Sequence, residues 1–435
     1  MAERWQDEQW AKDETFWYSG KTTRRQLLGL GAATAGALGA AMLVPAPWRA
    51  AFGQAKAYKL GTLQPLSGTA AAGGKTAVVG VQMAVDRINK SGGVNGRPIE
   101  LLIADYESKP DVGRRKVEKL VLEDKIDVHA GGYLSNVCLA CMPVYEEHKL
   151  VNMITVCLDT TITTSKCSRY TFRPFDFAPS QAKAIAPYLV GKIGKKWHIA
   201  FADYAWGQST KDAYVDQIKA NGGQVVDTTG IPLGVADMTA FLSKITGDYD
   251  GLFGIFFGQQ GISFVTQSFD LGISKKARLA GDGAIAVATS LPAIGAKGNG
   301  FVGVDRYVPV LEGKFNTPHH KKFLDEAVSR LKPLGVALPD RYVQSNYEGV
   351  NALKVGMASS KFRGREDTMK LIEALEGLEM KESDDFPQGD KTLRKEDHQA
   401  FVREFIFEVQ NASYKILDIV PKEKTVVPAA CTFRA

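Results

Sequence analysis

The chain of 435 residues is long enough for two average domains. Its hydrophobic content of 45% and charged content of 23% are those of a soluble globular protein. The net charge of +6 is spread over segments of mixed sign, without the clustered basic stripe that a nucleic-acid-binding protein needs.

The first 55 residues differ in character from the rest of the chain. A polar start leads into TTRRQLL, where Arg24 and Arg25 directly precede an apolar run rich in Ala and Gly that closes at Pro45. This pattern resembles a twin-arginine export signal. The alternative, a membrane anchor, needs about 20 strongly apolar residues, and this run is diluted by glycine and alanine. We therefore expect residues 1–55 to be a cleaved signal and the mature protein to be periplasmic.

The five cysteines are consistent with an oxidising compartment. Cys157 and Cys167 bracket the short polar stretch LDTTITTSK, and we expect them to form a disulfide. Cys138 and Cys141 form a CxxC whose apolar neighbours indicate a buried helix, although redox and zinc roles remain alternatives. The sequence leaves the state of Cys431 open.

From Tyr58 onward, short apolar runs alternate with amphipathic helical segments. The alternation stops near YTFRPFDFAPS and then starts again, and both halves end a helix at paired glycines (KSGG and ANGG). Such alternation predicts parallel sheets with helices on both faces. The fold class is therefore α/β, with two doubly wound lobes. Residues 300–435 supply further helices near 317–334, 342–360 and 366–377 and a closing strand pair, which we expect the two lobes to share through chain crossovers.

The stretch LSGTAAAGGKT at residues 66–76 lies between a predicted strand and a predicted helix. A phosphate-binding loop would need glycine at position 69, which is Thr69, so nucleotide binding is disfavoured. The carboxyl ends of parallel strands nevertheless favour polar or anionic ligands. Ser67 follows the first strand in this way, and Ser135 and Asn136 follow a later one in GGYLSN.

Several motifs occur in a family-like order: PLSG, MAVDxIN, GGVNGRxIEL, GGYLS, YTFRP, DYAWG, NGG and FDLGI. In this order and spacing, the chain from Tyr58 to about Val420 resembles the periplasmic branched-chain amino acid binding proteins. The resemblance implies a type I periplasmic binding fold, with Rossmann-like lobes joined by a three-strand hinge. It places lobe one at 58–177 and 306–388, and lobe two at 178–305 and 389–435. It implies a monomer without catalysis, cofactor, metal or nucleic acid, which passes a small-molecule ligand to the membrane permease of an ABC importer.

The same resemblance assigns binding roles. Ser135 and Asn136 match a carboxylate-binding turn, residues 155–160 match the next turn, and Trp206 stands where the family often has a tyrosine over the ligand. Together with Ser67, the residues expected to contact the ligand are Ser135, Asn136, Thr155, Cys157, Asp159, Trp206, Gln259, Asp282 and Tyr307.

Two departures from the family pattern bear on the ligand. The stretch AAAGG replaces a bulky aromatic, which favours a ligand larger than valine, such as an aromatic acid. Asp282 is offset by about one residue from the acid that pairs with an amino group. Simpler roles remain open: core packing for Trp206, capping for Ser135 and Asp282, and hinge packing for Tyr307. Alternatives to an importer subunit are a sensor that signals to a membrane receptor or kinase, an amide or urea binder, and an exported enzyme. The last is disfavoured because no HExxH or GxSxG motif is present.

Overall fold

Two largely parallel sheets, each with helices packed on its faces, make up the structure. The structure is a computed structural model that describes residues 56–433, so the predicted export signal at 1–55 lies outside the described residues. None of the helices in the described range combines the length and apolar character needed to cross a bilayer. No group of His, Cys, Asp and Glu between residues 56 and 433 is arranged to hold a metal ion.

The first sheet is formed by the chain up to residue 172. Its five strands are β1 (Tyr58–Gln64), β2 (Ile99–Asp105), β3 (Val128–Gly131), β4 (Asn152–Ile154) and β5 (Thr171–Phe172). Three helices connect the first four strands: α1 (Ala71–Lys90), α2 (Pro110–Leu122) and α3 (Ser135–Glu147). All strands are parallel, in the order β2-β1-β3-β4-β5. The direction of winding therefore reverses between β1 and β3, where doubly wound sheets bind ligands.

The second sheet repeats this order. Its parallel strands are β6 (Lys196–Asp203), β7 (Gln224–Pro232), β8 (Gly251–Ile255), β9 (Arg278–Asp282) and β10 (Val302–Asp305). The helices of this part are α4 (Ala178–Tyr188), α5 (Ala205–Ala220), α6 (Thr239–Leu242), α7 (Gly258–Asp270) and α8 (Leu291–Ile294). The order β7-β6-β8-β9-β10 places a second reversal between β6 and β8.

The last third of the chain adds helices beside the first sheet and strands to the second. Its elements are α9 (Pro318–Leu331), α10 (Arg341–Ser359), α11 (Thr368–Leu375), β11 (Glu379–Met380), β12 (Lys391–Thr392), β13 (Glu404–Gln410) and β14 (Ser413–Val420). Helix α10 packs so closely on α1 that a Cβ at Gly80 would lie 2.1 Å from the carbonyl oxygen of Val343. Strands β13 and β14 extend the second sheet as an antiparallel pair beside β10, while β11 and β12 pair separately.

The molecule has two halves, each made of one sheet and the helices packed on it, and the chain passes three times between them. The first passage is residues 173–177, the second is residues 306–317, and the third is residues 393–403. The first and third passages are paired through their backbones, since Arg173 donates to the carbonyl of His398 at 2.9 Å and Ala400 donates to that of Arg173 at 2.9 Å. The buried side chain of Gln399 adds bonds to Arg173 and to the carbonyl of Phe175.

Six buried ionisable groups meet beside these passages: Asp176, Asp282, Asp305, Arg306, Arg341 and Glu404. Arg306 Nη1 donates to Asp176 Oδ1 at 2.7 Å, and Arg341 Nη1 donates to Asp282 Oδ1 at 2.8 Å. Burial raises the pKa of Asp305 to about 7, although Arg341 and Arg306 oppose the rise. Burial also raises the pKa of Glu404 well above its usual range, with Asp176 adding to the effect. The cluster therefore combines close ion pairs of Arg306 and Arg341 with carboxyl groups, Asp305 and Glu404 among them, whose pKa is raised by burial.

The predicted disulfide between Cys157 and Cys167 is wrong. Cys157 is bonded to Cys138, and Cys167 is bonded to Cys431, whose Cα lies 5.9 Å away. Cys157 follows β4 directly and faces α3, where Gly132 leaves room for its sulfur atom and that of Cys138. The turn after Cys157 carries Cys167 towards the C-terminal segment instead.

Cys141 is the free cysteine of the described chain, and it is buried in α3. The CxxC thus lies in a buried helix, as the sequence indicates, and its two cysteines are not bonded to each other. Burial raises the pKa of the Cys141 thiol to about 12, so little reactive thiolate forms.

Peptide mass mapping of the purified protein without reductant should find Cys138 linked to Cys157 and Cys167 linked to Cys431. Iodoacetamide should label Cys141 only after unfolding, because the native thiol is buried and protonated. The variant Cys141→Ala is the control and should keep both linked peptides. A peptide that joins Cys157 to Cys167 would contradict the pairing.

Replacing Asp305 by Asn should change the pH dependence of stability. A carboxyl group whose pKa is raised on folding contributes stability at low pH that is lost as pH rises towards about 7. The free energy of unfolding of Asp305→Asn relative to the unmodified protein should therefore rise from pH 5 to pH 7, by up to about 1.4 kcal/mol per pH unit, and then level off. The melting temperatures should follow the same trend. Asp216→Asn, at an exposed position of α5, is the control. Parallel melting profiles for Asp305→Asn and the unmodified protein would contradict the expectation.

Candidate functional site

A cavity lies where the carboxyl ends of the two sheets face each other. Its lining comes from the residues that follow β3, β4, β6, β8 and β9, together with the start of α10. The lining residues are Tyr133, Ser135, Val156, Leu158, Tyr204, Trp206, Phe257, Ala284, Arg341 and Tyr342. The cavity volume is about 30 Å³. The reversals between β1 and β3 and between β6 and β8 thus open onto the same space.

Five aromatic side chains form most of the cavity wall. Tyr133 lies 4.6 Å from Tyr342 and 5.9 Å from Phe257 between ring centroids. Phe257 also lies 6.2 Å from Tyr204 and 6.1 Å from Trp206, with rings edge to face. These separations are typical of favourable aromatic pairs. The Tyr133–Phe257 pair joins a residue after β3 to a residue after β8, so the aromatic wall spans both halves.

The glycines of AAAGG make room for this wall. A Cβ at Gly73 would lie 2.3 Å from the hydroxyl oxygen of Tyr133, and a Cβ at Gly74 would lie 1.9 Å from the carbonyl oxygen of Pro65. Both glycines are in the first turn of α1. The glycine-rich stretch is therefore explained by close packing at the cavity rather than by phosphate binding.

Ser135 supplies a hydroxyl group at the start of α3. Its Oγ accepts the backbone N–H of Asp159 at 3.3 Å, so the hydroxyl hydrogen can donate to another group. The first backbone N–H groups of a helix have no partners within the helix. The positive end of the α3 dipole and these N–H groups favour an anion beside Ser135.

Arg341 is the charged residue among those that line the cavity. Asp340 caps α10 by accepting the N–H groups of Tyr342 and Val343 at 3.0 and 3.1 Å, which places both Arg341 and Tyr342 at the cavity. The Arg341 side chain is only 1% exposed. Its Nη1 donates to Asp282, and its Nε lies 3.4 Å from Asp305 Oδ1. Burial lowers the pKa of Arg341, but the three neighbouring aspartates outweigh burial and raise it above the usual value.

Two buried donors in the cavity lining have no hydrogen-bond partner among the described residues. These are Trp206 Nε1 and Arg341 Nη2. Asp176 is the nearest carboxylate to Arg341 Nη2, at 3.9 Å, beyond normal hydrogen-bond distance. Buried donors are rarely left unpaired in native proteins. Together with the Ser135 hydroxyl, they suit a ligand that carries acceptor oxygens.

Of the predicted contact residues, Ser135 and Trp206 line the cavity. The five others from the first half lie outside the lining. Ser67 is exposed and donates to Asp105 at 2.6 Å. Asn136 accepts the N–H of Val137, and Thr155 donates to Asn346 at 2.8 Å. Cys157 is in a disulfide, and Asp159 caps the turn at residues 160–163.

The other three predicted contacts also lie outside the cavity lining. Gln259 is near Ser263 in α7, with 3.4 Å between Nε2 and Oγ. Asp282 is fully buried behind Arg341, and its Oδ1 also accepts the N–H of Ala284, which is the capping role that the sequence left open. Tyr307 packs edge to face on Phe323, as its alternative role predicts.

Five major residues of the cavity were missed from the sequence. Three of them come just after the ends of strands: Tyr133 after β3, Tyr204 after β6 and Phe257 after β8. Their positions in the sequence could therefore have predicted a place at the cavity. Arg341 and Tyr342 begin a helix that follows no strand, and only the packing of α10 on α1 brings them to the cavity.

Comparison with known proteins agrees with this architecture. The family model described as "Periplasmic binding protein" matches residues 57–413. The Leu/Ile/Val-binding protein homolog 6 of Brucella melitensis is 23% identical over 333 residues, which cover 75% of this chain and 81% of that protein.

Solved structures share the fold at low sequence identity. A solute-binding protein of an ABC transporter from R. palustris, in complex with benzoate, has a TM-score of 0.78 and 21% identity, covering 87% of this chain and 100% of that one. A leucine-binding protein from Thermotoga maritima has a TM-score of 0.73 and 17% identity, covering 84% and 99%. Both are solute-binding proteins of the type I periplasmic binding fold. With the family model matching most of its length, this chain belongs to the periplasmic binding protein family.

Proposed function

We propose that the protein is the solute-binding subunit of an ABC importer and that it captures a small aromatic carboxylic acid in the cavity between its two halves. The observation that carries the proposal is an aromatic-walled cavity whose charged lining residue is Arg341. Its family and fold are those of solute-binding proteins rather than enzymes.

The polar groups of the cavity favour a carboxylate. Arg341 Nη2 and Trp206 Nε1 are donors without partners among residues 56–433, and the Ser135 hydroxyl adds a third donor. Hydrogen bonds to an ionised group are about twice as strong as those between neutral groups. A carboxylate oxygen would therefore satisfy buried donors that the protein leaves unpaired.

The same groups disfavour a ligand ammonium. Asp282 lies behind Arg341 and is already paired with it, so its charge is compensated before a ligand arrives. An ammonium group in the cavity would lie near the positive guanidinium of Arg341 without a free carboxylate in the lining. We therefore infer that the ligand is a carboxylic acid without an α-amino group.

The remaining wall suits an aromatic body. Rings from Tyr133, Trp206 and Phe257 line the cavity, whose volume of about 30 Å³ must increase for an aromatic ring to enter. Aromatic rings bind one another edge to face or in offset stacks. Similar solute-binding proteins have been solved in complex with benzoate and with 4-hydroxybenzoate, which supports the proposal.

Family membership implies a periplasmic location. We propose that residues 1–55 direct export by the twin-arginine route and that the lobes comprise 58–177 with 306–388 and 178–305 with 389–435. The three passages would serve as the hinge on which the lobes close over the ligand, as a monomer, before delivery to the permease.

A thermal-shift comparison of two matched ligands tests the inferred ligand class. 3-Phenylpropanoate and phenylalanine differ by one ammonium group. A ligand at about 100 times its dissociation constant should stabilise the protein by about 2.7 kcal/mol. We expect 3-phenylpropanoate and benzoate to raise the melting temperature and phenylalanine and leucine to leave it unchanged. A higher melting temperature with the amino acids alone would contradict the proposal of an aromatic acid ligand.

Replacing Ser135 by Ala should weaken benzoate binding about tenfold, because one hydrogen bond to a charged group contributes about 1.5–3 kcal/mol. The melting temperature without ligand should change little, since the hydroxyl's bond within the protein is long at 3.3 Å. Ser67→Ala is the matched control at the exposed strand end and should bind normally. Equal loss in both variants, measured by isothermal titration, would place the ligand elsewhere. A large loss of stability in Ser135→Ala would instead favour a structural role through its bond to the N–H of Asp159.

A further inference from the structure

The C-terminal segment, residues 421–433, joins the two halves a fourth time. It leaves β14 in the second sheet and ends in the bond between Cys431 and Cys167, which lies just before β5 of the first sheet. The bonded residues are 264 positions apart in sequence. Unlike the three passages, this connection exists only while the disulfide is intact.

The segment runs along the third passage. The side chain of Thr425 is fully buried and donates to the carbonyl of Val402 at 3.2 Å. Further along, Arg394 donates to the carbonyl of Val427 at 2.7 Å, and Lys183 donates to that of Val426. Phe433 then lies 4.5 Å from the ring of His398, which itself stacks on Phe172 at 3.8 Å.

Without the disulfide these contacts would hold the segment weakly. Most residues from 426 to 433 are exposed or half-buried, and Val426 is 40% exposed. Segments with few buried contacts open at low free-energy cost. With the disulfide, the stretch from Thr425 to Cys431 can reach at most about 20 Å when extended. The bond therefore limits how far Cys167 can move from the second half.

We propose that residues 421–433 act as a covalent strap that restricts opening of the two halves and so strengthens ligand binding. This inference rests on the proposed closure over a ligand. A chain confined near its closed form spends a larger fraction of time in the binding-competent state. The apparent affinity is proportional to that fraction, so it rises as the fraction rises. Removing the strap should leave the cavity itself intact, because none of residues 421–433 is among those that line it.

The test compares the purified protein with the double variant Cys167→Ser/Cys431→Ser. Small-angle X-ray scattering should show a larger radius of gyration for the ligand-free variant and equal radii at saturating benzoate. The dissociation constant for benzoate should rise about threefold or more, mainly through faster release. Cys141→Ser, which removes a free thiol, should match the unmodified protein.

A second variant distinguishes a strap that restricts opening from a disulfide that only stabilises the fold. Four Gly/Ser residues inserted after Pro428 keep the disulfide but lengthen the segment. The insertion should reproduce the larger ligand-free radius and the weaker binding, even where the double serine variant folds poorly. An insertion variant with unchanged radius and affinity would overturn the strap. If the unmodified protein binds no aromatic acid, the proposed function fails, and the ligand-free radii alone then decide on the strap.

Discussion

The architecture depends on how the charge of Arg341 is buried. An unpaired guanidinium in this position would be costly, since even a real protein interior penalises an isolated ion by several kcal/mol. Arg341 comes from α10, which packs on the first half, whereas Asp282 and Asp305 end strands of the second sheet. The ion pair can form only when the two halves come together. Arg341 is also among the residues that line the cavity.

The repeated strand order explains why one cavity serves both halves. Each sheet reverses its winding next to its first strand, and the residues after these strands point into the same space. Tyr133 and Ser135 come from one half, and Trp206 and Phe257 come from the other. Aromatic contacts across the gap, such as Tyr133 with Phe257, join the two sides of the cavity wall. The aromatic wall and the single facing cation together define the proposed ligand class.

Much of the fold could be predicted because its signals are local. The alternation of strands and helices, and the paired glycines that end α1 and α5, are readable over a few residues. Gly92, Gly93 and Gly222 do adopt positive φ angles there. The site was predicted less well. Ser135 and Trp206 follow strands, but Arg341 reaches the cavity from a helix more than 100 residues away in sequence from either. The prediction of a disulfide between Cys157 and Cys167 was wrong for the same reason, since the partner of Cys167 is Cys431, 264 positions away in sequence.

The most direct measurement is isothermal titration of the purified protein with benzoate and with benzamide. The two molecules have nearly the same shape, but benzamide is neutral and replaces one carboxylate oxygen by an amide NH2 group, which donates instead of accepting. If Arg341 and the nearby donors select an organic anion, benzoate should bind at least about tenfold more tightly than benzamide. Equal binding of both, or tighter binding of benzamide, would contradict a cavity built around that buried cation and would favour an amide ligand instead.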